Sequence, residues 1–137
     1  MNMTHRNFIL IAAMMTLNAC AIGGNAENWA VAKGPAGAMV DVKTSSANMK
    51  AELMEVGDEG VVLRRSDGKL VFARYASINH LRASRQGAGY KAGGRVRPSA
   101  VAMENLKLIS HFPHGITPEI RARLLTNAGQ SEYMVVE

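Results

Sequence analysis

Five β-prone runs separated by turns of two to four residues fill residues 39–84, and they leave this chain few folds to choose from. Residues 39–43 form the first run, and Ser45-Ser46-Ala47-Asn48 is turn-like. Residues 49–56 alternate imperfectly: Met49, Ala51, Leu53 and Glu55 share one side, and Lys50, Glu52, Met54 and Val56 the other. A strand that bends and exchanges faces gives such a pattern. Gly57-Asp58-Glu59-Gly60 makes a tight turn into residues 60–65. Ser66-Asp67-Gly68-Lys69 is a hairpin signal, because Asp-Gly reaches positive φ at little cost. Residues 70–75 and, after one turn at Ala76-Ser77, residues 78–84 complete the set. Five short strands with tight connections, the second one bent, predict a small closed or half-closed β-barrel over residues 37–84; closure would remove exposed strand edges.

Residues 85–98 differ in kind. Gly87, Gly89, Gly93 and Gly94 cost too much backbone entropy for a regular element, and neither dinucleotide-loop spacing nor a terminal Gly-Lys-Ser/Thr is present. The segment reads as a basic loop with Tyr90 at its tip. Residues 99–130 read as two helices packed on the barrel. Ser99 caps the first, which runs to about Ser110 with Val101, Leu106 and Ile109 along one side. Thr117-Pro118-Glu119 supplies a hydroxyl cap, a first-turn proline and an acid at the positive end of the helix dipole. Ile120, Leu124, Leu125 and Ala128 lie on one stripe of this second helix, Glu119 is spaced to pair with Arg123, and Gly129 ends it. Tyr133-Met134-Val135-Val136 is open between an edge strand and a frayed end. The expected class is α+β, mainly β with C-terminal helices.

At the other end, His5 and Arg6 precede an apolar run from Phe8 to Leu17 that is too short to span a bilayer, the pattern of a secretory signal. The single cysteine, Cys20, stands where the cut would fall, and with no second cysteine it forms no disulfide within the chain. Leu17-Asn18-Ala19-Cys20 resembles the lipobox of bacterial lipoproteins. The resemblance implies removal of residues 1–19, a diacylglyceryl group on the Cys20 thiol and acylation of its new amino group. Each buried methylene of such chains contributes roughly 0.8 kcal/mol to membrane binding. Ala21, where an aspartate would signal retention, implies the outer membrane, facing the periplasm. Gly24-Asn25-Ala26 offers a second cut that would release a soluble periplasmic protein. Residues 20–36, rich in Gly, Ala and Asn, read as a flexible tether, in which Trp29 either docks on the domain or sits at the membrane interface.

Within the barrel region, Val40-Asp41-Val42, a turn, Met49 to Leu53, then Asp58 to Leu63 resemble the first Sm motif. Leu70-Val71-Phe72-Ala73-Arg74-Tyr75-Ala76-Ser77-Ile78 is similar to the second motif of bacterial Sm-like RNA chaperones. The resemblance spans about 45 residues, is mostly hydrophobic spacing, and implies a five-stranded Sm-like or SH3-like barrel. The chain departs from those chaperones at Ser-Ala-Asn-Met after the first strand, at Phe72-Ala73-Arg74, and in having no helix before the barrel. Their RNA-binding roles are not carried over.

Removing 19 of the 137 residues leaves 118, enough for one modest core, with 15 basic against 11 acidic side chains. The basic excess lies between Arg64 and Arg97. The candidate contact residues for an anionic surface or ligand are Arg64, Arg65, Arg82, Arg85, Tyr90, Lys91, Arg95 and Arg97. An exported chain argues against nucleic acid, whereas anchoring makes a lipid surface the neighbour of such a loop. His111-Phe112-Pro113-His114 sets two imidazoles across a proline turn with no thiolate or carboxylate nearby, so no metal and no cofactor are expected; the turn is expected to aim Phe112 and Ile116 into the core. His80 is expected on the barrel surface, and Asp58-Glu59 as a solvated turn. No serine is set against a base, and no catalytic residue is assigned. The expectation is a non-catalytic binding or scaffolding module held on the envelope by Cys20, with an envelope protein or anionic polymer as partner and oligomerisation open. The alternatives are an accessory of envelope polymer (peptidoglycan) processing or, without export, an Sm-like nucleic-acid binder.

Overall fold

The computed structural model describes residues 36–83 and 97–137. Six strands make one sheet: β1 (Met39–Thr44), β2 (Asn48–Val56), β3 (Gly60–Arg65), β4 (Leu70–Arg74), β5 (Ile78–Ala83) and β6 (Met134–Val136). Two helices, α1 (Ala100–Ile109) and α2 (Pro118–Asn127), lie between β5 and β6 in the chain. The strand order is β5-β1-β2-β3-β4-β6, with β6 parallel to β4 and every other pair antiparallel. The α+β class is as expected. The closed five-stranded barrel is not: the sheet is open, and a sixth strand built from the tail occupies the edge of β4 that closure would have used.

The sheet is nevertheless strongly curled. A single 3-10 turn, Tyr75–Ser77, joins β4 to β5. Four peptide steps reach at most about 14 Å, whereas the four strand spacings between β4 and β5 in a flat sheet come to about 19 Å. Curling draws the two strands together where one ends and the other begins. At that same end the Glu137 main-chain oxygen accepts hydrogen bonds from Ser46 N (3.1 Å) and Thr44 Oγ1 (3.2 Å), and from the Ser46 hydroxyl. The seam is pinched there and bounded by the β5 and β6 edges.

The local sequence explains the strands. Gly68 at φ 82° closes the β3–β4 loop, where Gly68 N donates to Arg65 O and Lys69 N to Asp67 Oδ1, both at 3.0 Å. In β2 the register shifts between Leu53 and Glu55, so Met54 and Glu55 together oppose Val62. This bulge returns Val56 to the face of Ala51 and Leu53, which is the exchange of faces that the broken alternation predicts.

Each face has its own core. Val40, Val42, Ala51, Leu53, Val61, Leu63, Val71, Ile78 and Leu81 fill the inner face, joined by Leu106 and Ile109 of α1. Met54, Val62 and Leu70 on the outer face meet Ile116, Leu125 and the flanking Phe112, Ile120, Leu124 and Ala128. The two helices therefore sit on opposite sides of the sheet. Thr117 and Ser99 cap them as expected, accepting from Ile120 N and Ala102 N. The α2 stripe and the inward turn of Phe112 and Ile116 are also as expected. Val101 is not: it is 72% exposed, and Met103 takes its place beside Leu106 and Ile109, because α1 meets the sheet along its 103–106–109 row. No Glu119–Arg123 ion pair is present among the described residues.

Candidate functional site

The part of the outer face that α2 leaves bare is set by strand register. Lys43 of β1 stands opposite His80 of β5 and Asn48 of β2. In the next row Asp41 stands opposite Arg82 and Lys50, and in the next Met39 opposite Glu52, which itself opposes Arg64 of β3. The alternate residues Val40, Val42, Ala51, Leu81 and Ala83 are buried on the inner side, so all of these point outward. Lys43, Lys50 and Arg82 are exposed, His80 is half-buried, and Met39 lies among them with 43% of its surface open. One face of β5-β1-β2 thus gathers three exposed cations and an imidazole, with Asp41 and Glu52 as its acids.

Glu52 closes this face at one corner. It is buried, and its carboxylate collects donors from three separate segments. Oε1 accepts from Gly37 N and lies 2.8 Å from His111 Nδ1; Oε2 accepts from Arg64 Nε at 2.8 Å and from Arg64 Nη2. An ionised carboxylate only accepts, so His111 Nδ1 carries the proton of that bond. Burial pushes the Glu52 carboxyl up, but the bonds from His111, Gly37 and Arg64 outweigh it and hold the group below its ordinary range. The entry segment is fixed at this corner: Ala38 N donates to Ile109 O and Leu53 N to Ala38 O, both at 2.8 Å. A Cβ on Gly37 would stand 2.1 Å from Leu53 O, so only glycine fits. β1 pairs with β2 only as far as Glu52; beyond it His111 N and Phe112 N donate to Leu53 O and Met54 O, making the chain after α1 the next neighbour of β2.

A second set of polar groups surrounds the β2–β3 turn. Tyr75 holds that turn rigid, its hydroxyl donating to Gly57 O at 2.7 Å and its N–H to Glu59 O at 3.0 Å. Asp58 and Glu59 are exposed, as expected of a solvated turn, with Asp58 3.0 Å from Arg97 Nη2. Beside them an open groove of about 390 Å³ is lined by Glu55, Val62, Phe72, Arg121 and Tyr133. Glu55 Oε1 accepts from Ile116 N at 2.8 Å, and the Arg121 guanidinium lies 5.6 Å from the centre of the Tyr133 ring. The buried Tyr133 hydroxyl has no hydrogen-bond partner among the described residues, and burial pushes its pKa up.

Of the residues expected to make an anionic contact surface, the four that are described, Arg64, Arg65, Arg82 and Arg97, do not form one cluster. Arg64 is turned onto Glu52, Arg65 pairs with Asp67 at 3.0 Å, and Arg97 pairs with Asp58. Arg82 alone joins the bare sheet face. Cys20, Trp29, Arg85, Tyr90, Lys91 and Arg95 lie outside the described residues, as do the signal, the tether and most of the Gly-rich loop. Lys43, Lys50 and His111 were missed by sequence reasoning. The two lysines sit at alternate positions of flanking strands, which become neighbours only once the register is known; His111 lies 59 residues from Glu52 and carries no local signal. Among the described residues no three His, Cys, Asp or Glu are grouped to hold a metal, and no helix is long and apolar enough to cross a membrane. No protein-family model, curated protein or solved structure matches this chain.

Proposed function

We propose that this chain is an envelope lipoprotein whose domain is a non-catalytic binding or scaffolding module, held on the outer membrane by lipid on Cys20. The observation that carries the reading is Leu17-Asn18-Ala19-Cys20 at the end of a basic start and a short apolar run. The domain's first five strands follow an Sm/SH3-like path that stays open instead of closing into a barrel. The five-strand path and the curl that brings β4 to β5 support this, with β6 laid along β4. The Glu52–His111 pair is read as structural: the carboxylate oxygens are engaged by Gly37, Arg64 and His111 and so join three segments of the fold. Metabolic labelling with palmitate tests the anchor: the wild-type chain takes up label and Cys20→Ser does not. A wild-type chain that stays unlabelled overturns the reading.

A further inference from the structure

We infer that the bare sheet face of β5-β1-β2 is a docking surface for anionic phospholipid headgroups, so that the domain lies with this face against the membrane that its anchor enters. The inference rests on the lipoprotein reading for its partner and on strand register for its surface. Lys43, Lys50 and Arg82 occupy neighbouring rows, all exposed, with His80 beside Lys43. Asp41 lies between Arg82 and Lys50 and offsets part of their charge, while Glu52 is already engaged by Arg64 and His111. The face remains cationic.

Two further observations orient it. The described chain enters the fold at this same corner, where Gly37 N donates to Glu52, so the N-terminal end of the described domain lies at the edge of the cationic face. Met39, an exposed apolar side chain, stands in the row between them and the entry point, where it would meet the headgroup layer. Elsewhere on the outer face α2 packs against Met54, Val62 and Leu70. Polybasic surfaces beside an anchor add to membrane binding through the negative potential of anionic lipid, and the effect falls off within a Debye length. Nucleic acid, the other polyanion such a face fits, is disfavoured by the export signal and is made an outcome of the test.

The full chain from the membrane fraction is mixed with phosphatidylcholine vesicles, with and without phosphatidylglycerol. Flotation on phosphatidylcholine alone reports the anchor. The reaction rate of each lysine with an amine-specific ester, read by peptide mass spectrometry, reports the face. Phosphatidylglycerol should slow Lys43 and Lys50 roughly tenfold, high salt should restore them, and Lys107 on α1 should not change. Lys50→Glu with Arg82→Glu should abolish the slowing at Lys43, whereas the same charge change at Arg74 and Arg123 should preserve it. Equal rates on both vesicles overturn the inference and leave the anchor standing. If the protein does not float on phosphatidylcholine, the anchor fails alone; the surface then still requires binding to phosphatidylglycerol vesicles with the same slowing, and its absence overturns the surface too. Protein that leaves these vesicles for a single-stranded oligonucleotide at equal salt overturns the inference in favour of nucleic acid.

Discussion

Among the described residues, the Glu52 side chain ties together more separate segments than any other. Its carboxylate joins β2 to β3 through Arg64, to the entry segment through Gly37 and to the chain after α1 through His111. Glu52→Gln removes the charge and leaves Arg64 and His111 with a poorer acceptor, so urea unfolding should show a loss of about 1–3 kcal/mol. The sign of the pH dependence follows from the lowered carboxyl. Its contribution is fully present above the ordinary glutamate pKa of about 4.3 and is lost as pH falls through the lowered folded value. Unfolding midpoints of wild type and Glu52→Gln should therefore converge in acid; a gap that stays constant from neutral pH to acid would contradict this. Tyr133 is the opposite case. Its buried hydroxyl has no partner among the described residues, so Tyr133→Phe should be neutral or stabilising by up to about 1 kcal/mol, and a clear destabilisation in the same assay would contradict the described surroundings.

At the scale of elements, most of the strands were legible in the sequence. Turn chemistry at Asp67-Gly68 and the broken alternation around Met54 expressed local rules, and the structure follows both. The α2 stripe was legible for the same reason, whereas Val101 misled because nothing local says which row of α1 meets the sheet. β6 was least legible. Three residues carry little propensity, and their place depends on a partner far away in the chain. Gln130 prepares that place: its Oε1 accepts from Leu70 N at 2.7 Å and its Nε2 donates to Leu70 O at 3.0 Å, so an amide side chain completes the edge of β4 just before β6 begins. Gln130→Ala leaves both groups of a buried residue without that partner. It should cost about 1–3 kcal/mol and speed amide exchange in β4 and β6 ahead of β1 and β2. Uniform acceleration across the sheet would contradict an edge-specific role.

For the whole molecule, the candidate site divides by what sequence can express. The charge excess was visible, but its arrangement was not. Arg64, Arg65 and Arg97 belong to the basic excess visible in the sequence yet are each engaged by an acid, while Lys43, Lys50 and Arg82, spread over three strands, share a face. Barrel closure was misjudged for a related reason: the decision lies with the tail, which lies outside the five-strand pattern and takes the free edge of β4. Anchoring on the envelope depends on where the mature polypeptide starts and what its first residue carries. Intact mass spectrometry of the protein from the membrane fraction tests this most directly. The predicted result is a chain beginning at Cys20 with the added mass of a diacylglyceryl group and an amide-linked acyl chain. A chain beginning at Glu27, or one retaining Met1, would contradict it.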